Sequence, residues 1–315
     1  MKAVLGIDTS NYTTSLALID CESGKLISRA QQLLPVKEGD RGIRQSDAIF
    51  HHTKALPELF EQLFADFVGE IAAVCVSIKP SEQDGSYMPC FLAGISAASA
   101  VAQSLNVPLY KTSHQTGHIL ACLYGTDKLQ MIEKPFVCFH VSGGTTDALL
   151  VKPDEENLLK VELAAKSLDL KAGQAVDRLG VKMGLRFPAG RELDDLSRES
   201  TRHFKQKGKL IGNDCSLSGL ENLCLKMLSD GESHPDTARF CFDYIANTLK
   251  SMCEKILENN PGLDVFFAGG VMSNSRIKER LSEELGARFC PPEFSRDNAV
   301  GTAVYGYLKW NSLKN

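Results

Sequence analysis

The sequence has no run of about eighteen apolar residues, so it carries no signal for a membrane-spanning helix. No C-x-x-C pair occurs among its 10 cysteines, which argues against a zinc ribbon, a thioredoxin-type site or a clustered iron–sulfur motif. The opening segment MKAVLGIDTS turns polar after seven residues, unlike a signal peptide. These absences predict a cytoplasmic protein that does not enter a membrane.

Strong positive charge is also absent. The formal net charge is −4 with a pI near 6.0, and no block of Lys or Arg dominates. The chain as a whole therefore lacks the charge of a strong nucleic-acid binder, although a local basic patch or a basic partner is compatible with it. With 315 residues, of which 43% are hydrophobic, it can form one large domain or two medium ones.

Two stretches share one pattern of apolar and small polar residues. Residues 3–20 read AVLGID, TSNYTT and SLALID, and residues 136–151 read FVCFHV, SGGTTD and ALLV. Each predicts two strands joined by a turn whose N–H groups and hydroxyls suit a phosphate. Later apolar strands at 71–78 and 263–271 alternate with helical patterns. We therefore predict an α/β protein of two duplicated lobes, each a mixed sheet flanked by helices, with a cleft between them.

The lobe boundary is predicted near 125–135, where YGTDKLQMIEKP is polar and ends in proline. The first lobe then comprises residues 1–128 and contains the first hairpin. The second lobe comprises 129–296 and contains the second hairpin. Residues 297–315 form a C-terminal helix that we expect to pack back on the first lobe.

The segment SHQTGHILA places His114 and His118 four residues apart. On a helix both imidazoles lie on one face and can reach one ion. The spacing alone fits two surface or capping histidines equally well, because the pattern recurs by accident. A zinc peptidase with the motif H-E-x-x-H has a general-base Glu after the first His. Gln115 stands there instead, and its amide cannot take a proton from water, which argues against such a peptidase.

Seven motifs follow one another in an order known from a single family. They are LGIDTSNYTTSLAL, SHQTGH, VSGGTTDALL, GQAVDRLGVKMGLRFPAGRELDDL, CSLSGLEN, FAGGVMSN and PEFSRDNAVGTAVYGY. Over nearly its whole length the chain resembles the TsaD-type tRNA threonylcarbamoyladenosine transferases, formerly called O-sialoglycoprotein endopeptidases. The resemblance implies the actin, sugar-kinase and Hsp70 fold. It also implies transfer of a threonylcarbamoyl group from an adenylate to an adenine amine of tRNA.

The resemblance further implies the residues of the site. One Fe or Zn ion is expected on His114, His118 and Asp297, with His140 as a fourth candidate where archaeal-type members place a tyrosine. Without the resemblance, Asp297 would be read as a helix N-cap and His140 as a packed strand residue. The residues expected to bind the adenine nucleotide (ATP, AMP or an acyl-AMP) are Ser142, Gly143, Gly144, Thr145, Gly173, Asp177, Gly190, Asp194, Gly270 and Asn274. The candidate catalytic residues are Asp8, Ser10 and Thr13.

The first hairpin departs from the family pattern. The usual E-T-S-C-D-E-T reads DTSNYTT, so that Tyr12 and Thr13 replace two acids. This marks a divergent paralogue and leaves several functions open. The first alternative is an acyl or carbamoyl transferase that acts on threonylcarbamoyl, another acyl group or another acceptor. The second is a non-catalytic nucleotide-binding partner of a transferase complex, and the third is a small-molecule kinase. The expected partners are the adenylate and tRNA, with help from other proteins, in a homodimer or a heterodimer with a related inactive subunit.

Overall fold

The computed structural model describes residues 1–10, 12–35, 43–295 and 298–312. The chain divides into two compact units. The first unit contains Met1–Leu129, Asp154–Leu159 and Arg296–Asn315, and the second contains Gln130–Pro153 and Lys160–Ser295. Each unit holds one five-stranded sheet with flanking helices, which confirms the predicted α/β class with two mixed sheets.

The elements are numbered in chain order. Strands β1 to β12 span Lys2–Ser10, Thr13–Asp20, Leu26–Leu33, Glu70–Lys79, Leu109–Ser113, Phe136–Val141, Thr146–Asp154, Leu158–Lys166, Lys209–Ile211, Asp214–Ser216, Asp264–Ala268 and Arg288–Phe289. Helices α1 to α10 span Gln45–Phe64, Phe91–Leu105, His114–Gly125, Ala172–Lys182, Gly190–Arg198, Ser218–Ser229, His234–Asn259, Ser275–Leu285, Pro292–Ser295 and Val300–Ser312. Within the described ranges, no helix is long and apolar enough to cross a membrane.

The sheet of the first unit has the strand order β3-β2-β1-β4-β5. The predicted first hairpin is present, because β1 pairs antiparallel with β2 from Ala3 opposite Asp20 to Ser10 opposite Thr13. Strands β4 and β5 continue the sheet in parallel on the other side of β1. The last residues of β1 therefore lie at the carboxyl edge of the parallel strands, where α/β proteins commonly bind ligands.

Two pairs of helices cover the two faces of this sheet. Apolar side chains of β1 and β2 alternate with the pleat, so Leu5 and Ile7 pack with Leu16 against α1 and α2. The opposite face, which contains Gly6, packs against α10. A Cβ on Gly6 would lie 2.5 Å from the backbone nitrogen of Ala303, so only glycine allows this close approach.

The sheet of the second unit has the order β12-β11-β6-β7-β8, which repeats the order of the first sheet. Strands β6 and β7 form the predicted second hairpin, and β11 runs parallel to β6. The internal duplication predicted from the sequence is therefore confirmed at the level of strand order. Across this sheet the rings of Phe139, Phe267 and Phe289 stack at centroid distances of 4.7 and 5.1 Å, forming one side of a large apolar core.

Helices α3 and α10 meet at a contact between glycines. A Cβ on Gly301 would lie 1.8 Å from the carbonyl oxygen of Gly117, so the Gly301→Ala change must push the helices apart. We expect a loss of about 1–3 kcal/mol or more in the free energy of unfolding, measured by urea titration. The matched control is Gly219→Ala in α6, where the nearest atom is 3.6 Å away and the stability should not fall. Equal stabilities of the two variants would contradict the contact.

Candidate functional site

A buried carboxylate lies at the carboxyl end of β1. Asp8 has no exposed surface, and it lies on the face of the sheet that α10 covers, two residues beyond Gly6. Ser10 Oγ donates a hydrogen bond to Asp8 Oδ2 at 2.7 Å, and Ser77 Oγ donates to Oδ1. His114 Nδ1 is 3.2 Å from the same Oδ1. Donors from β1, from the end of β4 and from α3 therefore converge on one carboxylate.

The two histidines of the H-x-x-x-H motif lie on one face of α3, where His114 is the first residue and His118 follows one turn later. Ser113 caps this helix by accepting from the backbone nitrogen of Thr116 at 3.1 Å. The Nε2 atoms of His114 and His118 are 3.0 Å apart, and their rings meet edge-on with centroids 4.4 Å apart. Asp8, His114 and His118 thus form a continuous polar chain, in which the two histidines present nitrogen atoms to each other.

The charge state of Asp8 follows from this chain. Burial alone would raise the pKa of the carboxyl, since the ionised form loses hydration. The charge and hydrogen bond of His114, with the hydroxyls of Ser77 and Ser10, outweigh burial and lower the pKa below its ordinary value. Asp8 therefore stays ionised at neutral pH and acts as an acceptor toward His114.

A second buried histidine lies near the same hairpin but on the opposite face of the sheet. His52 of α1 is fully buried, and its Nδ1 is 2.7 Å from Thr14 Oγ1. Thr14 is opposite Thr9 in the hairpin, so its side chain points away from the face that holds Asp8. Within the described part of the chain, His52 Nε2 has no hydrogen-bond partner. Burial lowers the pKa of His52 to about 4, against a smaller opposing effect of Asp8.

In the second unit, the turn of residues 142–145 between β6 and β7 is closed by hydrogen bonds, and its two glycines face open space. The backbone nitrogen of Ser142 donates to Thr145 O at 2.8 Å, and Ser142 Oγ accepts from the nitrogens of Gly144 and Thr145. Gly143 and Gly144 are exposed, and a Cβ on either would meet no atom within 4 Å. A Cβ on Gly173 would lie 2.6 Å from the backbone nitrogen of Gly143, so α4 begins directly against the turn.

The two acids predicted to bind the nucleoside, Asp177 and Asp194, differ in burial and in their hydrogen-bond partners. Asp177 of α4 is half-buried, and its Oδ1 accepts from the backbone nitrogen of Ala189 at 2.9 Å, directly before Gly190 opens α5. Burial raises the pKa of Asp177. Asp194 is buried and accepts from Asn274 Nδ2 at 2.7 Å.

Asn274 and the preceding glycines shape the end of β11. Asn274 caps α8 by accepting from the nitrogen of Ile277 at 2.9 Å. Gly269 has φ of 101°, and a Cβ there would lie 2.3 Å from Val141 O, so the chain leaves β11 in a conformation that glycine alone adopts readily. Gly270 follows with open space around it. Together with Asp194, this segment forms one connected polar cluster in the second unit.

The predicted metal ligands are only partly placed together. His114 and His118 adjoin in the first unit, whereas His140 lies at the end of β6 in the second unit, opposite Asp147 of β7. Asp297 lies outside the described residues. Among the residues that are described, no group of three or more His, Cys, Asp and Glu side chains is arranged to hold a metal. The predicted ion on His114, His118, His140 and Asp297 therefore stays a prediction.

Two contributors to the first site were not predicted. Ser77 donates to Asp8, and it was missed because the contact depends on the parallel register that sets Ile7 opposite Val76. His52 of α1 was likewise not predicted. A helical stripe of buried residues that includes Ala48, Leu56 and Leu59 contains His52 and not its neighbour, and this periodicity could have identified it.

Comparison with protein families gives one match over most of the chain. A family profile described as "TsaD: tRNA N6-adenosine threonylcarbamoyltransferase" matches residues 28–304. Curated proteins named tRNA N6-adenosine threonylcarbamoyltransferase are similar throughout. One from Pyrobaculum calidifontis is 27% identical over 98% of this chain and 88% of its own length. One from Streptococcus pneumoniae is 26% identical over 98% of this chain and 93% of its own length.

Solved structures share the fold at low sequence identity. A full-length HypF in a phosphate- and nucleotide-bound form superposes with a TM-score of 0.60 and 13% identity, over 100% of this chain and 56% of that one. A ROK hexokinase from Thermus thermophilus superposes with a TM-score of 0.54 and 15% identity, over 98% of this chain and 99% of that one. These similarities confirm the predicted actin and sugar-kinase fold class and carry no further functional argument.

The buried His52 predicts an acid-sensitive stability. The unfolded chain binds a proton near pH 6.5, whereas folded His52 binds it only near pH 4, so the unfolded state carries more protons between these values. The free energy of unfolding should therefore fall as the pH drops from 6.5 to 4, by up to about 3 kcal/mol from this group. In His52→Gln this part of the pH dependence should flatten. The control His51→Gln, on the half-buried neighbour, should keep it. Parallel curves for His52→Gln and the unaltered chain would contradict the assignment.

Proposed function

Because the chain belongs to the TsaD family of tRNA N6-adenosine threonylcarbamoyltransferases, we propose that it transfers a threonylcarbamoyl-type acyl group from an adenylate to an adenine amine of tRNA. The observation that carries this proposal is the buried chain from Asp8 through His114 to His118 at the carboxyl edge of the first sheet. A carboxylate that orients a pair of convergent imidazoles is an arrangement suited to a site that polarises a substrate carbonyl.

The two histidines fit a bound metal ion. Two nitrogen ligands at about 2.0–2.1 Å from a tetrahedral ion lie about 3.3 Å apart, close to the 3.0 Å between the Nε2 atoms of His114 and His118. Asp8 accepts the Nδ1 proton of His114, which leaves Nε2 free of a proton for the ion. Asp297 and His140 stay the further ligands that the family resemblance predicts, and a bound ion would polarise the acyl carbonyl.

The second unit supplies the features that suit the adenylate. The open space over Gly143 and Gly144 leaves room for a phosphate against the turn, and α4 begins beside it. In the described residues, the hydrogen bond that Asp177 makes is to Oδ1, so Oδ2 can accept a ribose hydroxyl. Asp194 already holds Asn274, and in the proposal it positions that amide toward the nucleoside.

The tip of the first hairpin favours a second candidate, a nucleotide-binding partner without its own transfer activity. Tyr12 is 37% exposed, and Thr13 is buried opposite Ser10, so neither position presents a carboxylate to a substrate. Both oxygens of Asp8 already accept hydrogen bonds within the chain. In this reading the chain supports tRNA modification in a complex with other proteins. A cytoplasmic location and a homodimer or heterodimer stay predictions.

The metal part of the proposal predicts about one Zn or Fe ion per chain, measured by elemental analysis of the purified protein. His118→Ala should empty the site because it removes one of the two convergent nitrogens. Asp8→Asn should weaken metal affinity by about 10- to 100-fold, because a neutral amide replaces the carboxylate charge that orients His114. The control His51→Ala, on α1, should retain the ion. A metal-free unaltered chain, or equal metal contents in His118→Ala and the control, would reject this part.

The transfer part is tested with threonylcarbamoyl-AMP and unmodified tRNA, followed by digestion to nucleosides. The unaltered chain alone should transfer slowly, because neither Tyr12 nor Thr13 supplies a carboxylate to act as the base for the acceptor amine. The Tyr12→Asp, Thr13→Glu double variant should raise the rate by about tenfold or more. Fast transfer by the unaltered chain would show that these acids are dispensable. No transfer by either chain, when calorimetry shows that the adenylate binds, would favour the non-catalytic partner.

A further inference from the structure

The connection between α4 and α5 exposes an aromatic ring that no core requires. Phe187 is 71% exposed, and Val181 at the end of α4 is 52% exposed, although residues of these types are usually buried. No ring contact involves Phe187 among the described residues. The two apolar side chains therefore form a small exposed surface in the second unit.

This exposed ring is held by an anchored loop. Helix α4 ends at Lys182. Gly184, just beyond it, has φ of 85°, and the nitrogen of Leu185 donates to Gly180 O at 2.9 Å. Leu185 packs against the core of the unit. Ala189 is fully buried and donates to Asp177 at 2.9 Å. Because both ends of the loop are tied down, the residues between them are presented outward at little cost in entropy.

Positive charge lies on both sides of Phe187 along the chain. Lys182, Arg186 and Arg191 are exposed, and within the described chain none of their side chains takes part in an ion pair or hydrogen bond. Residues 178–191 contain no acid, and the nearest ones along the chain are Asp177 and Glu192. The segment is therefore a local basic patch in a chain whose formal net charge is −4.

We propose that the surface of residues 181–191 binds single-stranded RNA, with a base stacked on Phe187 and phosphates held by Lys182, Arg186 and Arg191. An aromatic face with flanking cations is the arrangement that takes unpaired bases and their backbone. Val181 lies one helical turn, about 6 Å, beyond Asp177, so this surface begins next to the proposed nucleoside residue. The inference rests on the proposed function, because it assigns the unpaired loop of the tRNA substrate to this surface.

A protein partner fits the same surface less well. The cores of protein interfaces are depleted of charge, whereas this short segment carries three exposed cations beside two exposed apolar side chains. Desolvating those cations against a protein would need three matching carboxylates, while a phosphate backbone supplies regularly spaced negative charge. RNA is therefore the occupant that the charges favour.

The test measures binding of the full chain to a fluorescently labelled RNA hairpin with an unpaired loop, by anisotropy at several KCl concentrations. Phe187→Ala should weaken binding by about 5- to 100-fold, whereas Phe187→Trp should bind as tightly as the unaltered chain. The triple variant Lys182→Ala, Arg186→Ala, Arg191→Ala should bind weakly at low salt. It should also lower the slope of log Kd against log salt by about two.

Matched changes on the first unit serve as controls. Phe50→Ala removes a ring that is 63% exposed, and a triple change of the exposed Lys25, Lys54 and Lys111 to Ala removes the same charge. Neither control should change affinity by more than about twofold. The inference is overturned if the unaltered chain binds no RNA or if patch and control variants lose affinity equally. A change of oligomeric state in Phe187→Ala with unchanged RNA affinity would also overturn it and assign the surface to a protein.

The RNA test and the transfer assay fail separately. If the unaltered chain modifies tRNA and Phe187→Ala keeps full RNA affinity, only the assignment of this surface is wrong. If the patch variants lose RNA affinity and neither the unaltered chain nor its hairpin variant transfers an acyl group, the surface stands and the transfer proposal fails. Thermal unfolding of Phe187→Ala should match that of the unaltered chain, because the ring contacts no core residue.

Discussion

The first unit is organised around one buried carboxylate. A charged Asp8 without exposed surface is tolerated only if donors replace its lost water. Those donors come from three elements, since Ser10 belongs to β1, Ser77 ends β4 and His114 begins α3. The carboxylate therefore requires the parallel register of β1 with β4, and it requires α3 close against the sheet. The glycine contact between α3 and α10 lets these two helices pack closely together beside it.

The second unit uses the same strand order for a different purpose. Its hairpin turn carries Gly143 and Gly144 with empty space around them, whereas the first hairpin ends beside a satisfied interior charge. A turn without side chains leaves backbone N–H groups and volume for an anion. The duplicated scaffold thus holds a buried, ionised Asp8 at the first hairpin and leaves an exposed glycine turn at the second.

Local patterns predicted the hairpins, the main helices and the duplication, because each depends on residues close in sequence. They also placed His114 and His118 on one helical face. The contact of Ser77 with Asp8 was not predictable, since it joins residues 69 apart through a strand register that the sequence does not state. The exposure of Phe187 was missed for a related reason. An apolar residue is expected in the core, and only the anchoring of Leu185 and Ala189 shows that the loop turns it outward.

The same network explains how the first hairpin could diverge without disturbing the site beneath it. None of the donors to Asp8 comes from Tyr12 or Thr13. Tyr12 contributes its carbonyl oxygen, which accepts from the nitrogen of Leu34 at 2.8 Å, and any residue can supply that bond. Loss of the family acids at the tip therefore removes no donor from Asp8. The hydrogen bonds of the fold therefore constrain Asp8, His114 and His118 strongly and the side chains of Tyr12 and Thr13 weakly. The residues at the tip can change while the carboxylate and the histidine pair stay in place.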